Sequence, residues 1–393
     1  MNMNKLMAAG ALALAFAGAA SAQSVIHISG ATAFRAATNQ AIRDIMDGEV
    51  YGYQGTSFSG SNRTVFTGTV AGAPVTISCR WIGSVGGMLD VAQDRLASDW
   101  PANDGTLTTA GKPSHTAVEA GSSMSDIALS DTFPSSVGIT GNALTTTPVG
   151  VVPFFFVKGK SNDATVQAVL NKITNINTNQ AKLLLGGYIA ASQFTDDEAD
   201  ASTLLFPVGR DAESGTRAVT YLELGFTGSS AQVTSTIAGG VIANVTNSLG
   251  GGYSSNSFTA TDLKTPVGVG ATVDLGDGSP VEVPYGLIAY IGLSDIISTS
   301  NNLQSQVLAY NGTQIFSNVG GVWTPDYNKI YSGTYTLWGY EVICWRATMA
   351  GTKLAVANSL KDRIAQVVTQ PSGFLLTSMS VERSIEGGLI THK

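Results

Sequence analysis

An arginine and a hydroxyl-rich triplet stand close together in the segment Gly209–Thr216. Arg210 comes four residues before Ser214-Gly215-Thr216, and the residues that follow predict a helix. The N–H groups and hydroxyls at a helix N-terminus carry partial positive charge and suit a tetrahedral anion. A guanidinium adds two parallel N–H donors that match the oxygens of phosphate. The segment therefore predicts one wall of an oxyanion site.

Three further turns carry polar groups at the ends of predicted strands. A strand over 24–30 ends before a predicted helix at 33–46, a strand over 75–83 ends before one at 88–96, and a short strand at 125–131 ends on an acid. Ligands of open α/β sheets bind beyond the carboxyl ends of strands, near helix N-termini. We expect these turns to form the opposite wall through Ala31, Thr32, Ala33, Ser84 and Asp131.

The elements that position these turns alternate between strand and helix, which predicts an α/β fold with mostly parallel sheets. An apolar run at 149–157 is typical of a fully buried strand. The remaining predicted elements are helices at 165–173, 179–185 and 352–368, a hairpin at 274–278, a strand at 282–293, and a long surface loop at 97–124.

The first 22 residues predict a secretory signal peptide. Lys5 precedes an apolar run at 6–17, and Ala20-Ser21-Ala22 fits a cleavage site. An uncleaved anchor is the alternative, although the run is short for a membrane span. The mature chain of about 371 residues, long enough for two domains, would be periplasmic or secreted. The net charge of the full sequence, −7, argues against general nucleic-acid binding.

Cysteine and histidine are scarce. Cys79 and Cys344 each lie in a strand-like run, and the sequence leaves open a disulfide between them or two buried thiols. His27, His115 and His392 are too few and too scattered for a metal cluster or a Ser-His-Asp triad. The sequence therefore predicts no metal and no cofactor.

Several of these motifs, in this order, resemble those of the phosphate-binding proteins of bacterial ABC importers, in the type II periplasmic-binding-protein superfamily. The Arg210–Thr216 loop matches the family's Arg-x-x-x-Ser-Gly-Thr pattern without a gap. The other motifs that carry the resemblance are Ser29–Thr32, Ile82–Gly87, Ala128–Asp131, 149–157, Asn177–Gly187, Tyr285–Gly292 and Tyr335–Leu337. They span nearly the whole mature chain, with thin similarity between them.

The resemblance implies a two-lobed α/β fold with a mixed, mostly parallel sheet in each lobe and a two-strand hinge. Lobe one would comprise 24–150 plus 334–393, and lobe two 151–333. Such a protein would be a monomer that closes over phosphate and delivers it to a membrane ABC permease, without enzymatic activity. The implied phosphate-binding residues are Ala31, Thr32, Ala33, Ser84, Asp131, Arg210, Ser214, Gly215 and Thr216.

The predicted site includes a carboxylate, and the sequence departs from the family pattern around it. An ionised Asp131 only accepts hydrogen bonds, so it favours an anion that still carries a proton and rejects sulfate. Ala33 stands where the family often has an aromatic residue, and Glu213 replaces a glycine, which we expect to bring a negative charge near the anion. A long insertion also separates Ser84 from Asp131, and Gly187-Tyr188 replaces Gly-Lys.

Two alternatives remain open at this stage. One is a non-transport extracellular binding or scaffold protein on the same fold, with a retuned or degenerate anion site, favoured by the low charge and the Gly/Ser-rich segments near 97–124 and 228–256. The other is a hydrolase using Ser214 or Ser84, although the loop does not fit the Gly-x-Ser-x-Gly pattern.

Overall fold

The computed structural model describes residues 23–248, 250–367 and 373–393, so the predicted signal peptide at 1–22 lies outside the described residues, as does the end of the predicted helix at 352–368. The strands are β1 (Ser24–Gly30), β2 (Asp47–Tyr53), β3 (Arg63–Val70), β4 (Ala73–Arg80), β5 (Leu96–Ala97), β6 (Ser123–Met124), β7 (Ile127–Ser130), β8 (Leu144–Lys158), β9 (Lys160–Ser161), β10 (Asn175–Ile176), β11 (Ile189–Ala190), β12 (Leu204–Val208), β13 (Val233–Ala238), β14 (Val241–Asn247), β15 (Pro266–Asp274), β16 (Val281–Glu282), β17 (Tyr285–Gly292), β18 (Ala309–Tyr310), β19 (Phe316–Val319), β20 (Val322–Pro325), β21 (Trp338–Arg346), β22 (Val381–Glu382) and β23 (Thr391–His392).

The helices are α1 (Arg35–Ile45), α2 (Ser84–Ala92), α3 (Ala164–Lys172), α4 (Thr178–Gly186), α5 (Ser192–Thr195), α6 (Gly215–Leu224), α7 (Asn256–Lys264), α8 (Leu293–Ile297), α9 (Asn328–Tyr331) and α10 (Gly351–Val367). Short 3₁₀ turns occupy Pro134–Val137, Glu198–Asp200, Gln304–Gln306 and Leu376–Ser378. Among these described helices, none is both long and apolar enough to cross a membrane.

One long strand links two halves of the main sheet, whose order is β16-β15-β14-β13-β12-β17-β8-β21-β7-β1-β4-β3-β2. The first part of β8, 144–153, pairs with β21, whereas 154–158 pairs with β17. The chain returns beside this point, where Phe154 N–H donates to the carbonyl of Leu337 at 3.0 Å. Two crossing segments therefore join a first lobe, built on β1–β4, β7 and β21, to a second lobe built on β12–β17.

Parallel pairing is confined to parts of each half. In lobe one β1 pairs in parallel with β4 and β7, and in lobe two β12 does so with β13 and β17. The β2-β3-β4 meander and the β13-β14 hairpin are antiparallel. The sheet is mixed as predicted, but the expected predominance of parallel pairs is wrong. Tight connections such as Ala71-Gly72 and Gly239-Gly240 join antiparallel neighbours, because parallel strands need long crossovers.

The central strands bring the predicted site turns to one edge of each half. β1 lies between β4 and β7, and β12 lies between β13 and β17. After each of these two strands, the chain adds one neighbouring strand on one side and a later strand on the opposite side. Such switch points leave a crevice beyond the carboxyl ends of the strands. The Thr32, Ser84 and Asp131 turns follow β1, β4 and β7, and Arg210 follows β12.

Helix α2 begins at Ser84, four residues before the start that the sequence predicted. Gly86 and Gly87 have low helix propensity, so the sequence favoured a turn there. A Cβ placed on Gly87 would lie 2.5 Å from the Cα of Gly30, so the glycine permits α2 to pack against the end of β1. Tertiary packing therefore overrides local propensity, and Ser84 becomes the first residue of the helix.

The two cysteines do not form the disulfide that the sequence left possible. Both thiols are free and buried, Cys79 in β4 and Cys344 in β21. These strands are separated by β1 and β7, about three strand spacings of ~4.8 Å, which is far beyond the reach of an S–S bond. Burial raises the pKa of each thiol to about 12, so both are inert apolar side chains of the core.

The predicted long loop at 97–124 is largely irregular, as expected, but it is not only a surface feature. Trp100 is 1% exposed and His115 is 4% exposed. The Trp100 Nε1–H donates to the carbonyl of Ser123, and the imidazole of His115 bonds to the carbonyl of Ala102 at 2.8 Å. The insertion is therefore folded onto lobe one rather than projecting from it.

Candidate functional site

The turn after β1 supplies the first part of the lobe-one wall. Gly30 has φ +135°, and a Cβ there would lie 2.0 Å from the carbonyl oxygen of Leu129, so only glycine fits. The N–H of Ala31 donates to that carbonyl at 2.9 Å. Ala31, Thr32 and Ala33 follow with 0, 8 and 6% exposure. The turn is thus fixed against β7 and buried between the lobes.

Asp131 is the second part of this wall and lies directly after β7. It is 2% exposed, and its Oδ1 has no hydrogen-bond partner among the described residues. Burial raises the pKa of Asp131, while the nearby Glu341, Ser84 and Thr216 side chains and the charge of Arg210 act in the opposite direction. A buried acceptor without a partner is costly unless a ligand or water supplies a donor.

Glu341 is a site-lining acid that the sequence reading missed. It lies in β21, whose register pairs Val342 with Ser130 and therefore places Glu341 beside Asp131. Glu341 is fully buried, and neither carboxyl oxygen has a hydrogen-bond partner among the described residues. Burial, with the neighbouring Asp131, raises the pKa of Glu341 well above its usual value and so favours the protonated carboxyl, which can donate to Asp131. The sequence signal that could have identified Glu341 is an acidic residue inside the apolar run 338–345.

Arg210 lies at the centre of the lobe-two wall and is 1% exposed. Its Nε and Nη2 donate to the carbonyls of Tyr253 and Ser254 at 2.9 and 2.8 Å. Its Nη1 donates to Asn256 Oδ1 at 2.7 Å and to Thr216 Oγ1 at 3.4 Å. These bonds engage four of the five guanidinium N–H donors. The expectation that the Arg210 guanidinium offers two free parallel N–H donors to a ligand is therefore wrong. The segment 253–256 and Thr216 occupy four of its donors, and one Nη2 N–H remains available.

The predicted hydroxyls of lobe two open helix α6. Ser214 is its N-cap, and its Oγ accepts the N–H of Arg217. Thr216 Oγ1 accepts from Arg210 and, at 3.4 Å, from Asn256 Nδ2. Ser214, Gly215 and Thr216 are all buried. The N-terminus of a ten-residue helix thus faces lobe one.

The two walls are in direct contact across the crevice. A Cβ placed on Gly215 would lie 2.4 Å from Ser84 Oγ and 2.9 Å from Asp131 Cβ, so a glycine is required for this approach. The N–H groups of Val85 and Gly86 donate to the carbonyl of Glu213 at 3.0 and 3.3 Å. The structure therefore brings Ser84 and Asp131 together with Gly215, and the lobes stand in a closed arrangement.

The Glu213 carboxylate does not face the site, contrary to the expectation that it brings negative charge to an anion. It packs over Gly86 and forms an ion pair with Arg95 of lobe one at 3.0 Å. Both side chains are nearly half exposed. The acid therefore bridges the lobes at the surface, with its charge balanced by an arginine.

The serines of the site are not placed for nucleophilic catalysis. Ser214 Oγ caps α6, and Ser84 lies against Gly215 and Asp131. His27 pairs with Glu119 and His115 with a backbone carbonyl, so neither imidazole contacts either serine. Within the described parts of the chain, no group of three or more His, Cys, Asp or Glu side chains could hold a metal ion.

Comparisons with known proteins bear on the fold. No family model matches the sequence, and no curated protein matches it. Among solved structures, the chain is similar to a putative phosphate ABC transporter substrate-binding protein of Clostridium perfringens with bound phosphate, at 13% identity, a TM-score of 0.44, and coverage of 87% of this chain and 93% of the other. The chain is also similar to an ABC-type phosphate transport receptor of Vibrio cholerae, at 14% identity, a TM-score of 0.42, and coverage of 89% of this chain and 99% of the other. For PstS of Borrelia burgdorferi the identity is 14%, the TM-score is 0.38, and the coverage is 90% of this chain and 98% of the other.

The strand order and the double crossover define the class of protein. Two mixed α/β halves share β8, the chain crosses twice between them, and the reversal points of both sheets face the same crevice. This is the two-lobed type II periplasmic-binding-protein fold that the sequence predicted. A fold does not determine a function, so the role of this chain and the nature of any ligand depend on the site alone.

Proposed function

We propose that the protein is a periplasmic or secreted solute-binding protein that closes its two lobes over a small tetrahedral oxyanion, with phosphate as the ligand, for delivery to a membrane ABC permease. The observation that carries this proposal is the burial of Asp131 where the lobes meet: its Cβ and Ser84 Oγ both lie against Gly215 of the other lobe, and its Oδ1 has no hydrogen-bond partner among the described residues. An anion that carries a proton would satisfy this acceptor.

The lobe-two wall supports the same ligand. Helix α6 directs its N-terminal N–H groups at the crevice, and Arg210 keeps a positive charge there in a water-excluded setting. Burial lowers the pKa of Arg210, opposed first by Asp211 and then by Asp131, but a guanidinium stays charged at neutral pH. We infer that Arg210 acts through its charge and one remaining Nη2 N–H rather than as a fork.

We also propose that the lobes correspond to residues 24–150 plus 334–393 and to 151–333, in a monomer. The change of partner along β8 between Pro153 and Phe154, and the return of the chain at Leu337 and Trp338, support boundaries within a few residues of these. The binding residues of the proposal are those expected from the sequence: Ala31, Thr32, Ala33, Ser84, Asp131, Arg210, Ser214, Gly215 and Thr216.

Titration of the mature protein with inorganic phosphate, by calorimetry and by thermal unfolding, tests the proposal. Phosphate at 100 times its dissociation constant should add about 2.7 kcal/mol to the free energy of unfolding. Ser84→Ala should weaken phosphate binding roughly tenfold, the value of about one hydrogen bond to a charged group. Ser122→Ala, an exposed serine outside the site, is the matched control. Arg210 is a poorer test, because its loss also removes the bonds that order 253–256.

The outcome also separates this proposal from the alternative of a non-transport scaffold on the same fold. Protein groups alone already join the two lobes in the closed arrangement. The Glu213 carbonyl accepts hydrogen bonds from lobe one, and the Glu213 carboxylate forms an ion pair with Arg95. If millimolar phosphate neither binds nor raises the unfolding temperature, the scaffold alternative holds and the importer proposal fails.

A further inference from the structure

Next to the proposed oxyanion site, a cleft of about 740 Å³ lies between the lobes. Its lobe-one side is formed by 32–36 and 57–60, and its lobe-two side by 257–264 and 294–301. Small organic ligands occupy pockets of about 300–1,000 Å³. A five-atom oxyanion held by Ser84, Asp131 and the start of α6 would leave this space unused.

The cleft reaches the proposed anion site through two shared residues. Thr32 and Ala33 belong to the turn after β1 and also line the cleft. A Cβ placed on Gly292 would lie 3.8 Å from Ala33 Cβ and 3.5 Å from Asn256 Nδ2, so Ala33 lies near the asparagine that bonds Arg210. The turn after β1 therefore belongs both to the proposed anion site and to the lining of the cleft.

The lining of the cleft is polar and rich in hydroxyl groups, whereas most small-molecule pockets are largely apolar. Arg35 reaches it from lobe one, and Lys264 and Asp295 from lobe two. The hydroxyls come from Ser57, Ser59, Ser257, Thr261, Ser294, Ser298, Thr299 and Ser300. Hydroxyls and fixed charges of this kind match a ligand that itself carries several hydroxyl groups.

Asp295 provides the sharpest feature of this lining. Burial raises the pKa of its carboxyl group, and the charges of Arg35 across the cleft and of Arg210 in its own lobe act in the opposite direction. Arg35 is held in place, since its Nη1 donates to Asn62 Oδ1 at 2.7 Å. A carboxylate that only accepts, beside a fixed guanidinium, suits a ligand hydroxyl that donates to one and accepts from the other.

We propose that the ligand is a phosphate monoester of a polyol or sugar, with its phosphate group between Ser84, Asp131 and α6 and its hydroxyl groups in the cleft against Arg35 and Asp295. This inference rests on the proposed function, because it keeps the same oxyanion site and extends it. A monoester bound as its monoanion carries one P–OH group, which supplies the donor that Asp131 requires. Because the second pKa of a monoester is about 6, this form is the minor one at pH 7 and ester binding should strengthen as the pH falls toward 6.

Calorimetry on the mature protein with inorganic phosphate, glycerol 3-phosphate, glucose 6-phosphate, glycerol and glucose tests the inference. At least one ester should bind tenfold or more tightly than inorganic phosphate, while the free alcohols should not bind measurably. If inorganic phosphate binds as tightly as both esters or more tightly, the inference is overturned and the proposed function stands. If neither phosphate nor an ester binds, both are overturned.

A pair of isosteric variants tests whether the cleft is responsible. Asp295→Asn should weaken ester binding at least fivefold without weakening phosphate binding, since it removes an acceptor of the cleft and lies outside the oxyanion site. Asp196→Asn, at an exposed turn with φ +53°, should change neither affinity. Equal losses for ester and phosphate in Asp295→Asn would show a general effect on the fold or on closure and would overturn the assignment.

Discussion

The polar groups of the lobe-two wall form hydrogen bonds within that lobe, whereas the lobe-one wall contains buried acceptor oxygens without a hydrogen-bond partner among the described residues. Arg210 is held by the segment 253–256 and by Thr216. Across the crevice, one oxygen of Asp131 and both of Glu341 lack a hydrogen-bond partner among the described residues. Lobe two is therefore preorganised. In lobe one a protonated Glu341 can donate to one oxygen of Asp131, and the acceptors of the pair that remain need a donor from water or a ligand.

This contrast also explains how one site can combine positive and negative groups. The charge of Arg210 and the N-terminus of α6 attract an anion, and they do not select among anions of similar size. Asp131 accepts hydrogen bonds only, so it penalises an anion without a proton. We infer that lobe two provides affinity and that lobe one provides selectivity.

The largest expected effect comes from the point where the two walls touch. Gly215→Ala places a methyl group against Ser84 Oγ and Asp131 Cβ, so the lobes cannot close fully. We expect a loss of about 2 kcal/mol in phosphate binding, roughly 30-fold. Gly186→Ala is the matched control, because this helical glycine has open space around its missing Cβ. Calorimetry that gave Gly215→Ala wild-type affinity would show that binding does not require this contact.

The next effect tests whether lobe one provides the selectivity. Asp131→Asn keeps the shape of the side chain but adds N–H donors, so a fully deprotonated anion such as sulfate no longer meets only acceptors. The ratio of phosphate to sulfate affinity should fall by about tenfold, the lower end of the range for a hydrogen bond to a charged group. Competition titrations with both anions measure this ratio. An unchanged ratio would remove Asp131 from the proposed selectivity.

The course of the chain could be predicted further from the sequence than the chemistry of the walls. β1, the buried core of β8 and the order of the site turns follow from apolar patterns and glycine turns, and the structure confirms them. The start of α2 could not be found, because Gly86-Gly87 is helical only when packed on Gly30. Tertiary contacts that no local pattern encodes settle such positions.

The side-chain network of the site was harder to predict for the same reason. The segment that bonds Arg210, 253–256, lies more than 40 residues further along the chain and has no pattern that signals this role. Glu341 was visible as an acid in an apolar strand, but only the register of β21 against β7 places it beside Asp131. The direction of the Glu213 side chain could not be predicted either, because it depends on Arg95 of the other lobe.

A smaller effect concerns the pH dependence of lobe one. Burial raises the pKa of Glu341 in the folded protein above its usual 4.5, so the folded state holds a proton that the unfolded state releases. Stability from this group is therefore full below the unfolded pKa and is lost as pH rises toward the folded pKa. In Glu341→Gln this loss is absent.

Urea unfolding of the wild type and Glu341→Gln at pH 5, 6, 7 and 8 tests this. The variant should gain free energy of unfolding relative to the wild type as pH rises, by up to about 1.4 kcal/mol per pH unit. The exposed Glu282→Gln serves as the control. A difference that is constant with pH would mean that Glu341 is not held protonated beside Asp131.

The smallest expected effect belongs to the surface bridge between the walls. The Glu213–Arg95 pair is nearly half exposed, so its coupling should be only about 0.2–1 kcal/mol and should fall with added salt. A double-mutant cycle of Glu213→Gln and Arg95→Gln, read as phosphate affinity at low and high salt, measures it. Asp326→Asn, which removes a surface pair with Lys329 in lobe two, is the control.

Whether Glu213→Gln weakens or strengthens phosphate binding distinguishes two roles for the Glu213 carboxylate. If its carboxylate only bridges the lobes, Glu213→Gln weakens binding slightly, because the carbonyl of residue 213 still accepts from Val85 and Gly86. If the carboxylate instead repels the bound anion, as the sequence suggested, Glu213→Gln strengthens binding and the effect persists when Arg95 is also replaced. Strengthened binding would therefore contradict the view that both walls, including this acid, stabilise the closed protein.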